Sequence, residues 1–215
     1  MNREDMERRS YSFEIRSERR EDGSFRLAGT PIVYSSPTDI GGWFQEIIEP
    51  GALDGADLTD VPLLVNHNDR MIPVARSRRN TPNSTLRLQI TAKGLEMEAD
   101  IDIENNMTSR ELASAVERKD LDGMSFRFEV KDQKWENLDT DYPTRRITKF
   151  SRIGEVSAVT WPAYEATEIY ARSKEALESA KAELESAREQ NARSVDTDLE
   201  LEKLKTEIRS KGVTK

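Results

Sequence analysis

The chain of 215 residues is 35% hydrophobic and 34% charged, a balance that predicts one globular domain with a highly charged, poorly buried appendage. Its formal net charge of -8 argues against an extended cationic surface for nucleic acid. Because the chain has no cysteine and only one histidine, disulfides and thiolate nucleophiles are excluded, and we expect neither a metal nor another cofactor.

The N-terminal residues 1–10 carry mixed charge and lack the apolar core of a secretion signal. We expect this segment to be disordered. No apolar run in the chain approaches the roughly 18 residues that a transmembrane helix needs. These features predict a soluble protein without an export signal and without a membrane partner.

Residues 11–172 have the pattern of a mainly β domain. Hydrophobic and polar residues alternate in 11–15, 86–90 and 95–101, which is typical of half-buried strands. A capping box, in which Thr108 and Glu111 satisfy opposing backbone donors, predicts the start of a helix between the strands. The expected fold class is therefore mainly β with flanking helices (α+β).

Residues 173–215 form a charged tail with helical periodicity. An apolar stripe recurs at a spacing of three or four residues: Leu177, Ala180, Leu184 and Ala187. The periodicity breaks near residues 191–196, and a capping box at Thr197 and Glu200 predicts a second helix start. Because the stripe is narrow, the tail is expected to dock on a partner or to self-associate weakly. The alternative is a solvated and partly frayed helix.

Residues 122–130 form a short strand that carries a serine just after a turn. Its apolar face is expected to anchor in a core: Phe126, Phe128 and Val130. Ser125 lies on the opposite face, where its hydroxyl is expected to look outward into a cleft. The alternative is that Ser125 is an ordinary polar residue of a half-buried strand. Arg127 shares that face and would aid charge stabilisation or substrate binding, although a solvated charge or a pair with Glu129 is the simpler interpretation.

His67 ends an apolar run over residues 61–69, and it is the one side chain whose unperturbed pKa suits proton transfer near neutral pH. A single histidine in a protein is often structural or merely exposed. Serine hydrolysis, however, needs only one base to take the hydroxyl proton and return it to the leaving group. Ser125 can supply the nucleophile for such a reaction.

A third group would hold the imidazole in the useful tautomer, and Glu155 is our choice for it. This carboxylate begins a largely apolar strand over residues 154–159, which calls for a specific role. The alternative is a salt bridge to a nearby arginine: Arg145, Arg146 or Arg152. Asp69 and Asp122 are reserve candidates for the third role.

Five short motifs follow one another along the chain: Glu49-Pro-Gly-Ala52, Leu64-Val-Asn-His-Asn-Asp69, Asp122-Gly-Met-Ser-Phe-Arg-Phe128, Gly154-Glu-Val-Ser157 and Trp161-Pro-Ala-Tyr164. Together, over residues 11–172, they resemble the prohead (capsid maturation) serine proteases of tailed bacteriophages. The resemblance implies a small closed β-barrel surrounded by helices, similar in fold to herpesvirus assemblins. It also implies that His67 is the base and Ser125 the nucleophile. A second histidine fills the third role in the herpesvirus enzymes, and this chain departs from them with Glu155 in the corresponding order.

The same resemblance implies a serine endopeptidase that cleaves the scaffolding segment of the capsid protein or a separate scaffold protein, and also itself. Its place would be the host cytoplasm, inside the assembling prohead. The tail over 173–215 would target the enzyme to the scaffold or be self-cleaved, and the herpesvirus relatives suggest a homodimer. The alternative function is a noncatalytic capsid assembly or scaffolding module, in which the β domain is only a platform.

Overall fold

The computed structural model describes residues 7–11, 15–20, 24–160 and 174–212. Within these ranges the chain forms two β-sheets and two helices, so the mainly β (α+β) class is confirmed. The motif at residues 161–164 lies outside the described residues.

Some strands, such as Phe25–Val33, alternate buried and partly exposed residues, as expected for a sheet with one face in a core, whereas Asp60–Val65 is buried at four successive positions. In chain order the strands are β1 (Glu7–Tyr11), β2 (Arg16–Arg19), β3 (Phe25–Val33), β4 (Thr38–Ile40), β5 (Phe44–Ile48), β6 (Asp60–Val65), β7 (Ala75–Arg78), β8 (Leu86–Thr91), β9 (Gly94–Ile101), β10 (Gly123–Glu136) and β11 (Thr144–Val159). The larger sheet has the order β1-β10-β11-β5-β4, with β6 pairing with both β11 and β7. The smaller sheet has the order β2-β3-β9-β8.

The prediction of a small closed β-barrel is wrong for the described part of the chain, because neither sheet closes on itself. The reason lies in β11, which pairs with β10 along one side and in parallel with two different strands, β5 and β6, along the other. The larger sheet therefore branches at β11 and leaves β1, β4 and β7 as edges. Strand periodicity in a sequence does not reveal which edges meet.

The core contains buried side chains from both sheets, and aromatic rings of β10 and β11 lie at its centre. Phe126 and Phe128 are fully buried and stack with ring centroids 4.9 Å apart, and the ring of Phe150 lies 5.2 Å from that of Phe128. Burial of each such ring contributes about 1.5–3 kcal/mol to the free energy of unfolding. This packing fixes the face of β10 that carries the phenylalanines, and hence the opposite face that carries Ser125.

The first helix, α1 (Met107–Glu117), begins two residues earlier than the predicted capping box. Its N-cap is Asn106, whose side-chain oxygen accepts a hydrogen bond from the backbone N–H of Ser109 at 3.2 Å. Thr108 therefore lies inside the first turn instead of capping it. Asparagine is as good an N-cap as threonine, so two neighbouring residues compete for the role in the sequence.

The second helix, α2 (Lys174–Gly212), is continuous, so the predicted break over residues 191–196 and a new start at Thr197 are wrong. The Thr197 hydroxyl instead donates to the backbone carbonyl of Arg193 at 2.9 Å, a bond that a threonine inside a helix can make. No helix in the described part of the chain is both long and apolar enough to cross a membrane.

The early part of α2 packs on the larger sheet, while its later part projects into solvent. Leu184 is buried with Ile40 and Phe44, and the Lys181 ammonium lies 4.0 Å from the ring centroid of Trp43. Beyond Arg188, the described side chains of the helix are exposed. The tail is thus a docked helix with a solvated extension.

The N-terminal segment also differs from expectation. Residues 7–11 form β1, an edge strand of the larger sheet, although residues 1–10 were expected to be disordered. Residues 1–6 lie outside the described ranges, as do residues 12–14 of the strand predicted over 11–15. The pairing partner of β1 is β10, more than a hundred residues away, so local sequence patterns carry no sign of it.

Candidate active site

His67 lies in a tight turn directly after β6. The backbone of Asn66 and that of His67 both have positive φ values, 50° and 59°, which few non-glycine residues adopt. The Asn66 side chain holds this turn to the end of β11, because its oxygen accepts from the Thr160 N–H at 3.0 Å and its NH₂ donates to the Thr160 hydroxyl at 3.2 Å. The strained turn therefore orients the imidazole relative to β11.

Glu155 is the residue that meets His67. Its carboxylate oxygen is in hydrogen-bond contact with His67 Nδ1, and its side chain is only 3% exposed. A carboxylate at Nδ1 favours the tautomer with hydrogen on that nitrogen and leaves Nε2 as the proton acceptor. The structure thus brings together two of the three predicted site residues in the relation expected of a base and its orienting group.

Ser125 lies one strand away, on β10 beside β11. It is paired in register with Ser157, whose hydroxyl donates to the same Glu155 oxygen at 3.4 Å, and Ser157 is paired on its other side with Leu64 of β6. The three predicted residues therefore come from two neighbouring strands, β10 and β11, and from the turn that follows β6. The Ser125 hydroxyl donates to the backbone carbonyl of Arg9 at 2.7 Å, so its proton points at β1 and not at the imidazole.

The prediction that Ser125 looks outward into a cleft is wrong for this arrangement, because the residue is 0% exposed. Strand β1 runs antiparallel along β10, with Ser10 directly opposite Ser125. The nucleophile candidate is thus covered by a segment of its own chain.

Arg127 is neither a solvated charge nor a partner of Glu129, as the simpler interpretation had it. It is 1% exposed, and its guanidinium lies 3.8 Å from the Glu155 carboxylate and 3.6 Å from that of Asp69. A buried carboxylate needs a compensating charge, and Arg127 supplies it for Glu155. Glu129 instead accepts a hydrogen bond from the Ser151 hydroxyl at 3.2 Å.

The other candidates for these roles lie elsewhere. The three arginines considered as partners of Glu155 pair with other acids: Arg145 with Glu7 and Glu46, Arg146 with Glu49 and Glu136, and Arg152 with Asp57. Asp122 is exposed, and Asp69 contacts Arg127. Glu155 is therefore the acid in contact with the imidazole among the candidates.

A cleft of about 540 Å³ opens beside His67. Its lining includes Met71 and Ile72, which are 51% and 80% exposed, and the polar side chains of Thr108 and Glu111 at the start of α1. The cleft therefore presents exposed apolar surface beside the imidazole. Among the residues that the structure describes, no group of three or more acidic or histidine side chains is gathered to hold a metal ion.

Sequence reasoning missed a buried charge cluster that includes two side chains of β1, the strand paired with the Ser125 strand. It is formed by side chains from β1, β5 and β11: Glu7, Arg9, Glu46 and Arg145. Glu46 and Arg145 are both 0% exposed. An acid within the apolar strand β5 was the available signal, but a partner in β1 could not be foreseen.

The cluster sets the protonation of two acids that compete for Arg145. Burial would raise the pKa of Glu7, but the hydrogen bond from Arg145 and the charges of Arg9 and Arg145 outweigh it and hold that pKa at about 2. Glu183, from α2, also reaches Arg145 at 2.6 Å. Burial, with repulsion from Glu7, raises the pKa of Glu183 to about 7.

Comparison with known proteins identifies the class to which this fold and site belong. Residues 11–182 match the family model described as caudovirus prohead serine protease, and the chain belongs to that family. The resemblance seen in the sequence motifs is thereby confirmed. Among solved structures, the bacteriophage T4 capsid assembly protease, gp21, is similar at 12% identity with a TM-score of 0.36, over 72% of this chain and 99% of that one. No curated protein matches the sequence.

Proposed function

We propose that this protein is the serine endopeptidase of prohead maturation, with Ser125 as nucleophile, His67 as general base and acid, and Glu155 as the group that orients the imidazole. The observation that carries the proposal is the contact between His67 Nδ1 and the buried Glu155 carboxylate. Membership of the prohead serine protease family supports it independently. Its substrate would be the scaffolding segment of the capsid protein or a scaffold protein, and the enzyme would act inside the assembling prohead in the host cytoplasm.

The reaction follows from the chemistry of these three groups. His67 Nε2 takes the hydroxyl proton while Ser125 Oγ adds to the peptide carbonyl carbon. The C–N bond then breaks, the leaving amine takes the proton from His67, and an ester on Ser125 remains. Water, deprotonated by His67, hydrolyses the ester and restores the hydroxyl. Glu155 stabilises the imidazolium in both halves, and the Arg127 guanidinium, 3.8 Å from Glu155, is the positive charge beside that carboxylate.

The test is co-expression of the protease with its cognate capsid or scaffold protein, with cleavage followed by mass spectrometry. We expect the wild type to cut, and Ser125→Ala and His67→Ala to leave the substrate intact. Ser77→Ala is the matched control, because Ser77 is another fully buried strand serine, on β7, and should keep full cleavage. If all four proteins behave alike while capsids still assemble, the chain is an assembly module and not an enzyme.

The same samples test self-cleavage and the role of the tail, which we include in the proposal. Fragments of the protease itself should appear with the wild type and be absent with Ser125→Ala. The solvated part of α2 would bind scaffold helices and recruit the enzyme to the prohead. A wild type that cuts its substrate but keeps its own full mass would remove self-cleavage from the proposal.

A further inference from the structure

Strand β1 occupies the edge of the strand that carries Ser125, the proposed nucleophile. It pairs antiparallel with β10, the strand that carries Ser125, and the Arg9 carbonyl accepts the Ser125 hydroxyl proton at 2.7 Å. Ser125 itself is 0% exposed. Peptides often bind proteins by adding a strand to a sheet edge, where backbone bonds give affinity and pockets for alternate side chains give specificity.

The alternate side chains of β1 have a binding pocket in the domain, formed by Glu46 and Arg145. Residues i and i+2 of a strand share a face, so Glu7 and Arg9 point the same way. Arg9 donates to both Glu46 oxygens, at 2.6 and 2.8 Å, and its guanidinium lies 5.4 Å from the ring centroid of Phe128. Glu7 accepts from both terminal nitrogens of Arg145, at 2.6 and 2.8 Å.

The pocket belongs to the body of the domain and not to β1. Glu46 and Arg145 are opposite each other on β5 and β11, and they pair directly at 2.9 Å. Arg145 also donates to Gln133 at 2.6 Å and lies 2.6 Å from Glu183 of α2, and Glu7 and Arg9 of β1 add a bidentate partner of opposite charge to each member of the pair. The natural occupant of this pocket is therefore a segment with an acid and, two residues later, an arginine.

We propose that β1 is a built-in occupant of the substrate edge of β10, and that Glu46 and Arg145 are the specificity residues that select a Glu-X-Arg segment in the substrate. This deepens the proposed function and rests on it. An intramolecular strand acts at an effective concentration of about millimolar, so it keeps Ser125 covered until a substrate strand displaces it. The substrate class is thus an extended peptide with an arginine whose carbonyl lies at Ser125.

The first test is the rate at which a fluorophosphonate labels Ser125 in the full-length chain. Arg9→Ala should label roughly tenfold faster or more, since it removes a charge-assisted bidentate pair that holds β1, and Arg9→Lys should lie between it and the wild type. Ser125→Ala controls for labelling elsewhere. Equal rates in wild type and Arg9→Ala overturn the proposal.

The second test needs no change in β1, so it holds even if Arg9→Ala fails to fold. Acetyl-Glu-Arg-Arg-aldehyde is compared with versions in which alanine replaces the glutamate or the last arginine, as inhibitors of capsid-substrate cleavage by the wild type. Ser125 Oγ adds to the aldehyde carbon, and His67 moves the hydroxyl proton to its oxygen. The parent should inhibit roughly tenfold more tightly than either version, and Glu46→Gln should erase the preference for arginine.

The outcomes separate the two proposals. Cleavage that all three aldehydes inhibit equally, or that none inhibits, overturns the subsite while the serine peptidase remains. A chain that neither cleaves its substrate nor labels at Ser125, in wild type and Arg9→Ala alike, overturns the proposed function and the subsite with it.

Discussion

At the scale of single residues, Glu155 connects the whole site, because His67, Ser157 and Arg127 all approach the same carboxylate oxygen. Replacement by glutamine would keep the shape and remove the charge that stabilises the imidazolium. We expect Glu155→Gln to lower kcat by about 10³–10⁴-fold with little change in KM. The measurement is steady-state cleavage of a capsid-derived peptide.

Asp69→Asn is the matched control for that variant, because Asp69 contacts the same arginine but not the imidazole. It should lower kcat far less. A loss in Asp69→Asn as large as that in Glu155→Gln would assign the third role to Asp69.

The turn that carries His67 gives a second residue-scale prediction. Asn66→Ala removes the bonds to Thr160 and places an alanine at φ 50°, which costs about 1–2 kcal/mol in backbone strain. Asn66→Gly loses the same bonds without the strain. Urea unfolding should therefore rank the two variants with glycine the more stable, and equal stabilities would show that φ at this position is unimportant.

The contact between His67 and Glu155 could be predicted from the sequence because there were few choices. His67 was the only candidate base in a chain with one histidine, and a carboxylate in an apolar strand pointed to Glu155. The cover over Ser125 could not be predicted, because it comes from a segment 116 residues away whose local pattern carries mixed charge. Arg127 was misjudged for the same reason, since its partners on β11 and after β6 are distant in sequence.

At the scale of elements, the N-cap of α1 can be assigned by experiment to Asn106 or to Thr108. The Asn106 side chain accepts from the Ser109 N–H, whereas Thr108 lies in the first turn. Asn106→Ala should lower the free energy of unfolding by about 1 kcal/mol, and Thr108→Ala by clearly less. Chemical denaturation measures the free energy of unfolding of both variants. A larger loss in Thr108→Ala than in Asn106→Ala would support the capping box predicted from the sequence.

The docking of α2 should depend on pH through Glu183. The folded protein raises the pKa of this carboxyl from its ordinary 4.5 to about 7, so it binds the proton more tightly than the unfolded chain does. Its stabilising contribution is therefore complete below pH 4.5 and is lost as pH rises through 7. The pKa of Glu7, at about 2, places its own loss of stability far below this window.

Thermal unfolding between pH 5.5 and 8.5 measures this effect. The Tm of the wild type should fall as pH rises across the window, and Glu183→Gln should show a flatter profile. The difference in Tm between wild type and Glu183→Gln at each pH isolates the contribution of Glu183, because all other groups are the same in both proteins. Parallel profiles would mean that Glu183 does not titrate there.

Strand periodicity predicted the fold class, but not how the strands combine. A hairpin around Lys93 and Gly94 is local, and it is present as β8 and β9. The parallel pairing of β11 with both β5 and β6 joins segments far apart in the chain, and alternation of side chains carries no information about such partners. The prediction of a closed barrel was wrong for this reason. The predicted helix break near 191–196 was also wrong, because the helix continues although the apolar stripe is interrupted.

At the scale of the whole molecule, the proposed role of α2 in recruitment can be tested separately from catalysis. It exposes three leucines by about half or more of their surface: Leu199, Leu201 and Leu204. Because Leu184 anchors the helix upstream, serine at these three positions should leave the domain intact. We expect several-fold less enzyme in proheads, with cleavage of purified substrate unchanged.

Quantitative mass spectrometry of isolated proheads measures the amount of enzyme that each variant incorporates. A control with three polar neighbours changed to serine should incorporate normally: Glu200, Glu202 and Lys203. Equal incorporation of all three proteins would remove the tail from the recruitment step.

The order in which the chain is made has a consequence for β1. The pairing of β10 with β11 joins segments separated by one short connection, whereas β1 must wait for β10 across most of the domain. Contacts that close short loops form early in folding and those that close long loops form late. We therefore expect the β10–β11 pair to form before β1 joins it, so that each newly synthesised or refolding molecule passes through an interval in which Ser125 is open to solvent.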